Sequence, residues 1–295
     1  TEVLINVGDI NEAPSLSSAL SSTSFSEDSA LGTIIATSSV ADPESNTITY
    51  SLTGTGSEYF SVDENGNVTL KDTLDFETYT NYEITLVASD GELTSSSVIA
   101  FDISDVDEAP SLSSTLKSES FEESIAVGTA LATISSVDPE SQTITYSLSG
   151  TGSENFEIDS EGNITSKVTF DYETATSYTF NVTASDGTNS TTSPLTITLS
   201  DVNESPDVTI SLQGSEFAEN ITTGSTIATV AYTDPESDTL TYTLSGTGSD
   251  QFSVDDQGVI TLKTGLDYET KTSYELTLTS SDGTNSVQTQ INFSV

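Results

Sequence analysis

Cysteine and histidine are absent from this 295-residue sequence. Without them the chain can form no disulfide, no thiol or serine–histidine nucleophile, and no ordinary zinc or copper site. Carboxylate, carbonyl and amide oxygens remain as ligands, and these are the groups that calcium and magnesium bind. A metal ion bound by this protein is therefore expected to be one of those two.

Positive charge is nearly absent as well, since five lysines stand against 47 acidic residues and the formal net charge is −42. Such a chain repels phosphate backbones and anionic membranes, so nucleic acid is excluded as a partner. No apolar run approaches the roughly 20 residues that span a bilayer, and we predict no membrane insertion in this segment. Because so few cations are available, clustered carboxylates need water or a bound metal ion.

Short motifs recur along the chain with a constant step of 96 residues. One motif reads DINEAP at 9–14, DVDEAP at 105–110 and DVNESP at 201–206. The motifs DPES, SDG, GTGS and D-aromatic-ET repeat with the same step. A fixed period of this length predicts a tandem array of similar domains joined by the DINEAP-type linkers.

The period divides the chain into four predicted segments. These are 1–13, the last strand of a preceding repeat plus its linker; 14–105, the first repeat; 106–201, the second repeat; and 202–295, the third repeat. The next linker aspartate would fall at position 297, just after Val295. We therefore expect the chain to be an interior piece of a longer array.

Each repeat contains about seven short runs in which apolar and polar residues alternate, such as TITYSL at 47–52 and YEITLVAS at 82–89. Turn signals such as ENGN at 64–67 separate these runs, and no stretch longer than one turn has helical periodicity. The pattern predicts an all-β chain of tandem seven-stranded Greek-key β-sandwiches joined end to end. The recurring aromatic residues are predicted to lie in the cores, and carbohydrate stacking is the alternative; they are Phe25, Tyr50, Phe60, Phe76 and Tyr82, with their equivalents 96 and 192 residues later.

Paired carboxylates occur in two of the motifs. Asp75 and Glu77 are expected to lie on an extended segment, where residues two apart point to the same side. Asp42 and Glu44 flank Pro43, which is expected to hold this pair extended as well. Each motif alone has a purely structural explanation, because Asp-Pro and Asp-Gly commonly form turns. Together, the motifs fall at the places that a sandwich brings to its two ends.

The combination resembles the cadherin repeat over nearly the whole chain. Cadherin repeats carry a glutamate near the first strand, an Asp-Arg-Glu-like triplet, an Asp-x-Asn-Asp-Asn-x-Pro linker, an Asp-x-Asp pair and an Ala-x-Asp motif. The resemblance implies calcium ions bound between successive repeats, with up to three ions at each junction. The linker here is one residue shorter, has glutamate in place of an aspartate, and the Asp-x-Asp pair reads Asp-Pro-Glu, so we expect two or three ions.

The resemblance implies four groups of metal ligands. The first junction set is Glu27, Asp75, Glu77, Asp105, Asp107, Glu108, Asp138, Glu140 and Asp186. The second junction set is Glu123, Asp171, Glu173, Asp201, Asn203, Glu204, Asp234, Glu236 and Asp282. The amino-terminal set is Asp9, Asn11, Glu12, Asp42, Glu44 and Asp90, and the carboxy-terminal set is Glu219, Asp267 and Glu269. These two terminal sets are half-sites that lack a neighbouring repeat.

These observations predict a calcium-binding, calcium-rigidified extender segment of a long secreted or cell-surface adhesin that supports cell adhesion. The composition resembles the Ser/Thr/Asp-rich repeats of giant bacterial surface adhesins of the RTX type. The alternative is an adhesive module that binds a glycan or a second copy of itself, although the lack of tryptophan argues against the strand exchange of animal cadherins. An enzyme such as a two-carboxylate glycosidase is disfavoured, because the same carboxylates repeat where no substrate cleft is expected.

Overall fold

The computed structural model describes residues 3–4 and 6–295, and strands make up nearly all of the regular structure. Helix in the described part of the chain is limited to three single-turn 3-10 helices, at Ser57–Tyr59, Ser153–Asn155 and Ser249–Gln251. The all-β prediction is therefore confirmed. Within the same residues, no helix has the length and apolar character needed to cross a membrane.

The strands recur in the same order in each repeat. The first repeat contains β1 Ser15–Leu20, β2 Ser24–Ser26, β3 Ile34–Ala41, β4 Thr49–Thr53, β5 Phe60–Val62, β6 Val68–Leu70, β7 Asn81–Ser89 and β8 Thr94–Ser104. The second contains β9 Ser113–Leu116, β10 Phe121–Glu122, β11 Ala130–Ser135, β12 Thr145–Ser149, β13 Phe156–Ile158, β14 Asn163–Ser166, β15 Ser177–Ser185 and β16 Ser190–Ser200. The third contains β17 Asp207–Leu212, β18 Thr226–Thr233, β19 Thr241–Ser245, β20 Phe252–Val254, β21 Val259–Leu262, β22 Ser273–Ser281 and β23 Ser286–Ser294.

The first strand of the first repeat is divided between two sheets. The segment β1 pairs antiparallel with β3, whereas β2 pairs parallel with β8, so that Phe25 lies opposite Ile103. The two sheets have the strand orders β1-β3-β6-β5 and β2-β8-β7-β4. Counted with β1 and β2 as one divided strand, this is a seven-stranded sandwich, as predicted.

The later repeats keep this topology with small changes. In the second repeat the sheets run β9-β11-β14-β13 and β10-β16-β15-β12. In the third repeat, β19-β22-β23 forms a three-stranded sheet, and a parallel bridge between Glu216 and Ser294 lies at the position where β2 pairs with β8 in the first repeat.

The chain divides into two compact units, and the division passes through the second repeat. The first unit ends at Ser113 and also includes Ser135–Thr145 and Thr183–Thr192, while the remainder of the chain forms the second unit. The two segments that join the first unit carry the DPES and SDG motifs of the second repeat. Each junction set therefore lies entirely within one compact unit. The precise boundaries of the three repeats stay a prediction.

The aromatic residues predicted as core residues are buried in part: Tyr50 and Phe76 are half-buried, and Tyr268, the equivalent of Phe76 in the third repeat, is 53% exposed. Phe25, Phe60 and Tyr82 belong to the core of the first repeat, together with Phe101. The rings of Phe60 and Tyr82 meet edge to face, with centroids 5.2 Å apart, a favourable geometry for aromatic pairs. This position in the core argues against the carbohydrate-stacking alternative for these three rings.

The GTGS motif brings a loop onto this aromatic core. Gly56 has φ 78° and precedes the 3-10 turn Ser57–Tyr59. A Cβ atom at Gly56 would lie 2.5 Å from the ring of Tyr82. Both the left-handed conformation and the close approach require glycine, which explains why the motif recurs.

The strand predicted at 1–8 is not found in the residues that can be assessed. Thr1, Glu2 and Ile5 lie outside the described residues, and residues 3–4 and 6–14 form no strand.

Candidate metal centres

The parallel pairing of β2 with β8 determines where the first junction set forms. Because parallel strands end on the same side of a sheet, Glu27 after β2 lies beside Asp105 after β8. The loop between β6 and β7 brings Asp75 and Glu77 to the same end. One end of the first repeat thus collects carboxylates from three separate parts of the chain.

Glu27 connects two of these parts directly. Its side chain is 6% exposed; Oε2 accepts a hydrogen bond from the backbone N–H of Phe76 (2.7 Å), and Oε1 accepts one from Val106 (2.7 Å). In the second repeat, Glu123 accepts equivalent bonds from Tyr172 (2.5 Å) and Val202 (2.9 Å). Glu27 therefore connects the loop before β7 to the linker that follows the first repeat. Glu123 connects the loop before β15 to the linker that follows the second repeat.

The carboxylates approach one another in groups that share one member. In the first unit, ligand atoms of Glu27, Asp75 and Glu77 lie within 4.8 Å of one another, as do those of Glu77, Asp105 and Glu140. In the second unit the groups are Glu123, Glu173 and Asp201, and Glu173, Glu204 and Glu236. A shared carboxylate at Glu77 or Glu173 is suited to bridge two neighbouring cations.

The carboxylate pairs reach these positions through turns rather than extended segments. Residues Phe76–Thr78 form a turn, in which Asp75 Oδ1 accepts a hydrogen bond from the N–H of Thr78 (3.0 Å). The DPES loop also turns, because the N–H of Ser45 bonds to the carbonyl of Asp42 (3.2 Å). The expectation of extended pairs was wrong: local hydrogen bonds to the aspartate side chain and carbonyl favour a turn over a strand at these positions.

The serine of the DPES motif has a left-handed backbone in all three copies. The φ angles are 61° at Ser45, 62° at Ser141 and 62° at Ser237, and these are the positive values among the described non-glycine residues. A serine in this region carries backbone strain, which the surrounding loop must hold. The strained residue directly follows the glutamate of the motif.

Several buried carboxylate oxygens in the described residues have no hydrogen-bond partner. Asp138 is 5% exposed, and although its Oδ1 accepts a bond from the N–H of Gln142 (2.7 Å), its Oδ2 accepts none. The other carboxylate atoms of this kind are Asp42 Oδ2, Glu108 Oε2, Glu140 Oε1 and Oε2, Asp186 Oδ2, Glu204 Oε2, Asp234 Oδ2 and Glu236 Oε2. All belong to predicted ligands, and leaving such atoms unpaired is costly.

The crowding of carboxylates raises the pKa of one glutamate in each junction set. The neighbouring Glu140 carboxylate, burial and the charge of Glu27 raise the pKa of Glu108 to about 8. The neighbouring Glu236 carboxylate and burial raise the pKa of Glu204 to about 7. A bound cation would oppose these shifts, because it favours the ionised form of both glutamates.

The remaining predicted ligands are distributed as follows. Asp107 has both oxygens bound by the side-chain amides of Gln142 and Asn189 and joins neither carboxylate group of the first unit. Asp171 accepts a bond from the N–H of Thr174 (2.7 Å) and is likewise outside the groups of the second unit, unlike its counterpart Asp75.

The terminal sets are also partly assembled. In the amino-terminal set, Asn11 donates to Asp90 (2.9 Å) and Glu12 N–H to Glu44 (3.3 Å), while Asp9 is exposed. In the carboxy-terminal set, ligand atoms of Glu219, Asp267 and Glu269 lie within 4.8 Å of one another, and all three residues are exposed.

Comparison with known proteins assigns the family. The Cadherin domain model matches three stretches of the chain, 21–104, 117–200 and 214–295. The chain belongs to the cadherin family.

Curated cadherin relatives are similar over most of this chain. Human Protocadherin Fat 1 is 30% identical over 94% of the chain, mouse Cadherin EGF LAG seven-pass G-type receptor 2 is 31% identical over 79%, and chicken Cadherin-related family member 1 is 32% identical over 76%. The chain spans only 6%, 8% and 28% of the length of these three proteins.

Solved cadherin structures show the same fold. Protocadherin Gamma B2 extracellular cadherin domains 1-5 superpose with a TM-score of 0.62 at 26% identity, covering 98% of this chain and 60% of that one. Mouse Cadherin-23 EC22-24 superposes with a TM-score of 0.54 at 25% identity, covering 96% and 98% respectively. The predicted cadherin-like sandwich fold is thus confirmed.

Membership in the cadherin family has consequences for location and function. Cadherin domains are extracellular, which confirms the predicted location, and they serve as adhesion modules rather than as enzymes. Cadherin domains bind calcium at the linkers between domains. The metal-ligand assignment for individual residues of this chain stays a prediction.

The sequence analysis missed the amides around the cadherin linkers. Asn189 and Asn285 donate to linker carbonyls, and Gln142 and Asn46 donate to the side chains of linker residues 107 and 11. A signal was present, because SDGTN occurs in the second and third repeats, whereas the first reads SDGEL. Carboxylate motifs alone do not reveal these amides.

Proposed function

We propose that this chain is a calcium-binding, calcium-rigidified extender segment of a long secreted or cell-surface adhesin that supports cell adhesion. The main support is the group of buried carboxylate oxygens without a partner, of which Asp138 Oδ2 is the clearest. Atoms of this kind call for a cation, and the chain has too few lysines to supply one. The family's calcium binding at linkers points to the same ion.

The donor set fits calcium better than magnesium. Calcium accepts six to eight oxygen ligands in irregular geometry, whereas magnesium prefers an octahedral shell with several waters. The first and second junction sets would supply carboxylate oxygens to the ions, and Asn203 would supply its side-chain oxygen. Glu77 and Glu173, which belong to two carboxylate groups each, would be shared between neighbouring ions.

Calcium would stiffen the array because it removes repulsion within each junction set. Two carboxylates about 4 Å apart repel by on the order of 4 kcal/mol at an effective dielectric constant near 20. Each set combines residues from one repeat, the linker and the next repeat, so a common ion would hold all three together. Without calcium, we expect the repeats to move relative to each other.

The nature of the parent protein is a separate part of the proposal. The Ser/Thr/Asp-rich composition supports a giant bacterial adhesin of the RTX type, whereas the relatives named above come from animals and do not support that source. The small part of each relative that the chain spans agrees with one segment of a long array.

A second candidate function is homophilic binding. One similar solved structure, described as "Protocadherin gammaB7 EC3-6 cis-dimer structure", superposes with a TM-score of 0.58 at 25% identity. A chain that associates in this way would sediment as a dimer, and an extender would stay monomeric. Sedimentation velocity with calcium and with chelator separates the two, and a glycan array tests the remaining alternative of glycan binding.

Calcium titration tests the leading proposal directly. Isothermal calorimetry on the chelator-treated chain should show two or three ions at each junction set, and small-angle scattering should show a larger and narrower distribution of maximum dimension with calcium. Absence of calcium binding would overturn the proposal. Identical scattering profiles with and without calcium would overturn the claim that calcium stiffens the array.

A further inference from the structure

Two asparagines hold the linkers through backbone carbonyl groups. The side-chain amide of Asn189 donates to the carbonyl oxygen of Asp107 at 2.6 Å, and that of Asn285 donates to the carbonyl oxygen of Asn203 at 2.8 Å. Donor and acceptor are 82 residues apart in both cases. The contact therefore recurs at equivalent positions in two compact units, although the linker side chain differs.

The neighbouring linker residue is held from the other side. Val106, directly before Asp107, donates its N–H to the buried carboxylate of Glu27 (2.7 Å), and Val202 donates to Glu123 (2.9 Å). Consecutive linker residues are thus tied to the preceding repeat by a glutamate and to the following repeat by an asparagine. These bonds involve protein atoms alone.

The first repeat provides an internal contrast. At the position equivalent to Asn189 it has Leu93, whose side chain is 41% exposed and has no amide to donate. There the linker residue Asn11 donates its own side-chain amide to Asp90 (2.9 Å). The asparagine contact is therefore a property of particular repeats rather than of the fold.

We propose that Asn189 and Asn285 are positioning residues, which hold the linker carbonyl so that the neighbouring carboxylates are placed to receive calcium. This inference rests on the proposed calcium-binding function. Fixing the linker before the ion arrives reduces the conformational entropy lost on binding, which strengthens affinity without adding a ligand. Asn189 holds linker 105–110, and Asn285 holds linker 201–206.

The test compares Asn189→Leu, which introduces the residue of the first repeat, with Thr188→Ala on the same loop. Thr188 is exposed, and its backbone N–H bond to Asp186 does not involve its side chain. With chelator present, hydrogen–deuterium exchange in linker 105–110 should be at least about fivefold faster in Asn189→Leu, because one net hydrogen bond corresponds to about fivefold and the Asn189 amide donates to both the carbonyl and a carboxylate oxygen of Asp107. Linker 201–206 should exchange as in the parent, and Asn285→Leu should give the opposite pattern.

Calcium calorimetry provides the second measurement. Asn189→Leu should bind calcium about fivefold more weakly at the first junction set, with the number of ions unchanged. The proposal is overturned if linker 105–110 exchanges no faster in Asn189→Leu than in Thr188→Ala. It is also overturned if exchange is faster but the calcium affinity of Asn189→Leu is unchanged. A lost ion would make Asn189 a ligand and overturn its positioning role.

Two further points keep the test decisive. If Asn189→Leu fails to fold, Asn189→Ala replaces it, because it also removes the donor and adds no charge beside the Asp107 carboxylate. The exchange measurement is made without metal, so it remains valid if the parent chain binds no calcium. In that case the proposed calcium function fails by itself, and the exchange rates still decide whether Asn189 holds the linker.

Discussion

The two junction sets share one framework and differ at one member, and a neighbouring position of the DPES loop outside the sets differs as well. In the first, the linker has Asp107 and the DPES loop has Gln142, whose amide donates to that carboxylate. In the second, the linker has Asn203 and the equivalent loop position has Asp238. The acidic residue is in the linker at the first junction and in the DPES loop at the second, and an amide residue occupies the other position. Each junction therefore has one negative charge over these two positions. The comparison teaches that the total charge at a junction is preserved even where a single ligand position is not.

Removing the metal tests what the two junctions have in common, and we expect the largest effect here. Calcium should raise the melting temperature strongly and magnesium much less, because binding to the folded state alone adds about 2.7 kcal/mol per site at a ligand concentration of 100 Kd. Differential scanning calorimetry in chelator, calcium and magnesium measures this. Equal shifts with the two cations would contradict the calcium assignment.

The double variant Asp171→Ala/Glu173→Ala should separate the junctions. It removes predicted ligands from the second junction set, including the shared Glu173, while the core of the third repeat is untouched. Calcium stoichiometry should fall at the second junction only, scattering should show a new hinge there, and circular dichroism should stay β-like.

The matched control for this variant is Asp75→Ala/Glu77→Ala, which should have the same effect at the first junction. A double variant that binds as many ions as the parent and stays as straight would lead us to abandon the ligand assignment.

Exchanging the linker residues should have an intermediate effect. Asp107→Asn should weaken calcium binding at the first junction by at most about tenfold, or ~1.4 kcal/mol, because that carboxylate is already bound by two amides. Asn203→Asp should strengthen binding at the second junction. Calorimetric titration of both variants checks the direction, and effects of the same sign in the two would contradict the exchange of charge inferred above.

The raised pKa values of Glu108 and Glu204 predict different pH dependences for the two junctions in chelator. Because the folded pKa of Glu108 is about 8 and that of Glu204 about 7, both above the ordinary value of 4.5, the folded metal-free protein binds extra protons. The free energy of unfolding should therefore fall as pH rises from about 4.5, up to pH 7 for the second junction and pH 8 for the first.

Urea unfolding between pH 5 and 9 measures this loss. In Glu108→Gln, the free energy of unfolding should no longer fall between pH 7 and 8. In Glu204→Gln, it should still fall over that interval. A free energy of unfolding that does not change over this pH range in the parent chain would contradict the raised pKa values.

The smallest effect is expected at the strained serines. Ser141→Gly and Ser237→Gly should each stabilise the metal-free protein by up to ~1 kcal/mol, because glycine adopts the left-handed conformation without steric cost. Thermal unfolding in chelator should show equal gains at the two junctions. A gain at one junction alone would mean that the two DPES loops differ more than their φ angles indicate.

Much of the fold followed from the sequence for physical reasons. Alternating apolar residues specify strands, and the 96-residue period repeats them, so the sandwiches could be predicted from single runs such as YEITLVAS. The division of the first strand into β1 and β2 could not, because it depends on which sheet edge each short segment meets. That division also positions Glu27.

The candidate site was only partly predictable. The acidic motifs marked the ends of the repeats, and the grouping of Glu77 with Glu27 and Glu140 agrees with the predicted first junction set. The turns at Asp75 and Asp42 were not anticipated, because side-chain hydrogen bonds to nearby backbone groups replaced the extended conformation. The amides of Asn189 and Asn285 act across 82 residues of sequence, a distance that local patterns do not reveal.

The parallel pairing of β2 with β8 has a mechanical consequence. The two segments lie near the beginning and the end of one repeat, so tension between its ends loads their backbone hydrogen bonds in shear, all at the same time. Strands loaded in this direction resist force better than strands that are peeled apart one bond after another. The second repeat makes the same parallel pairing, between β10 and β16, and is loaded in the same direction.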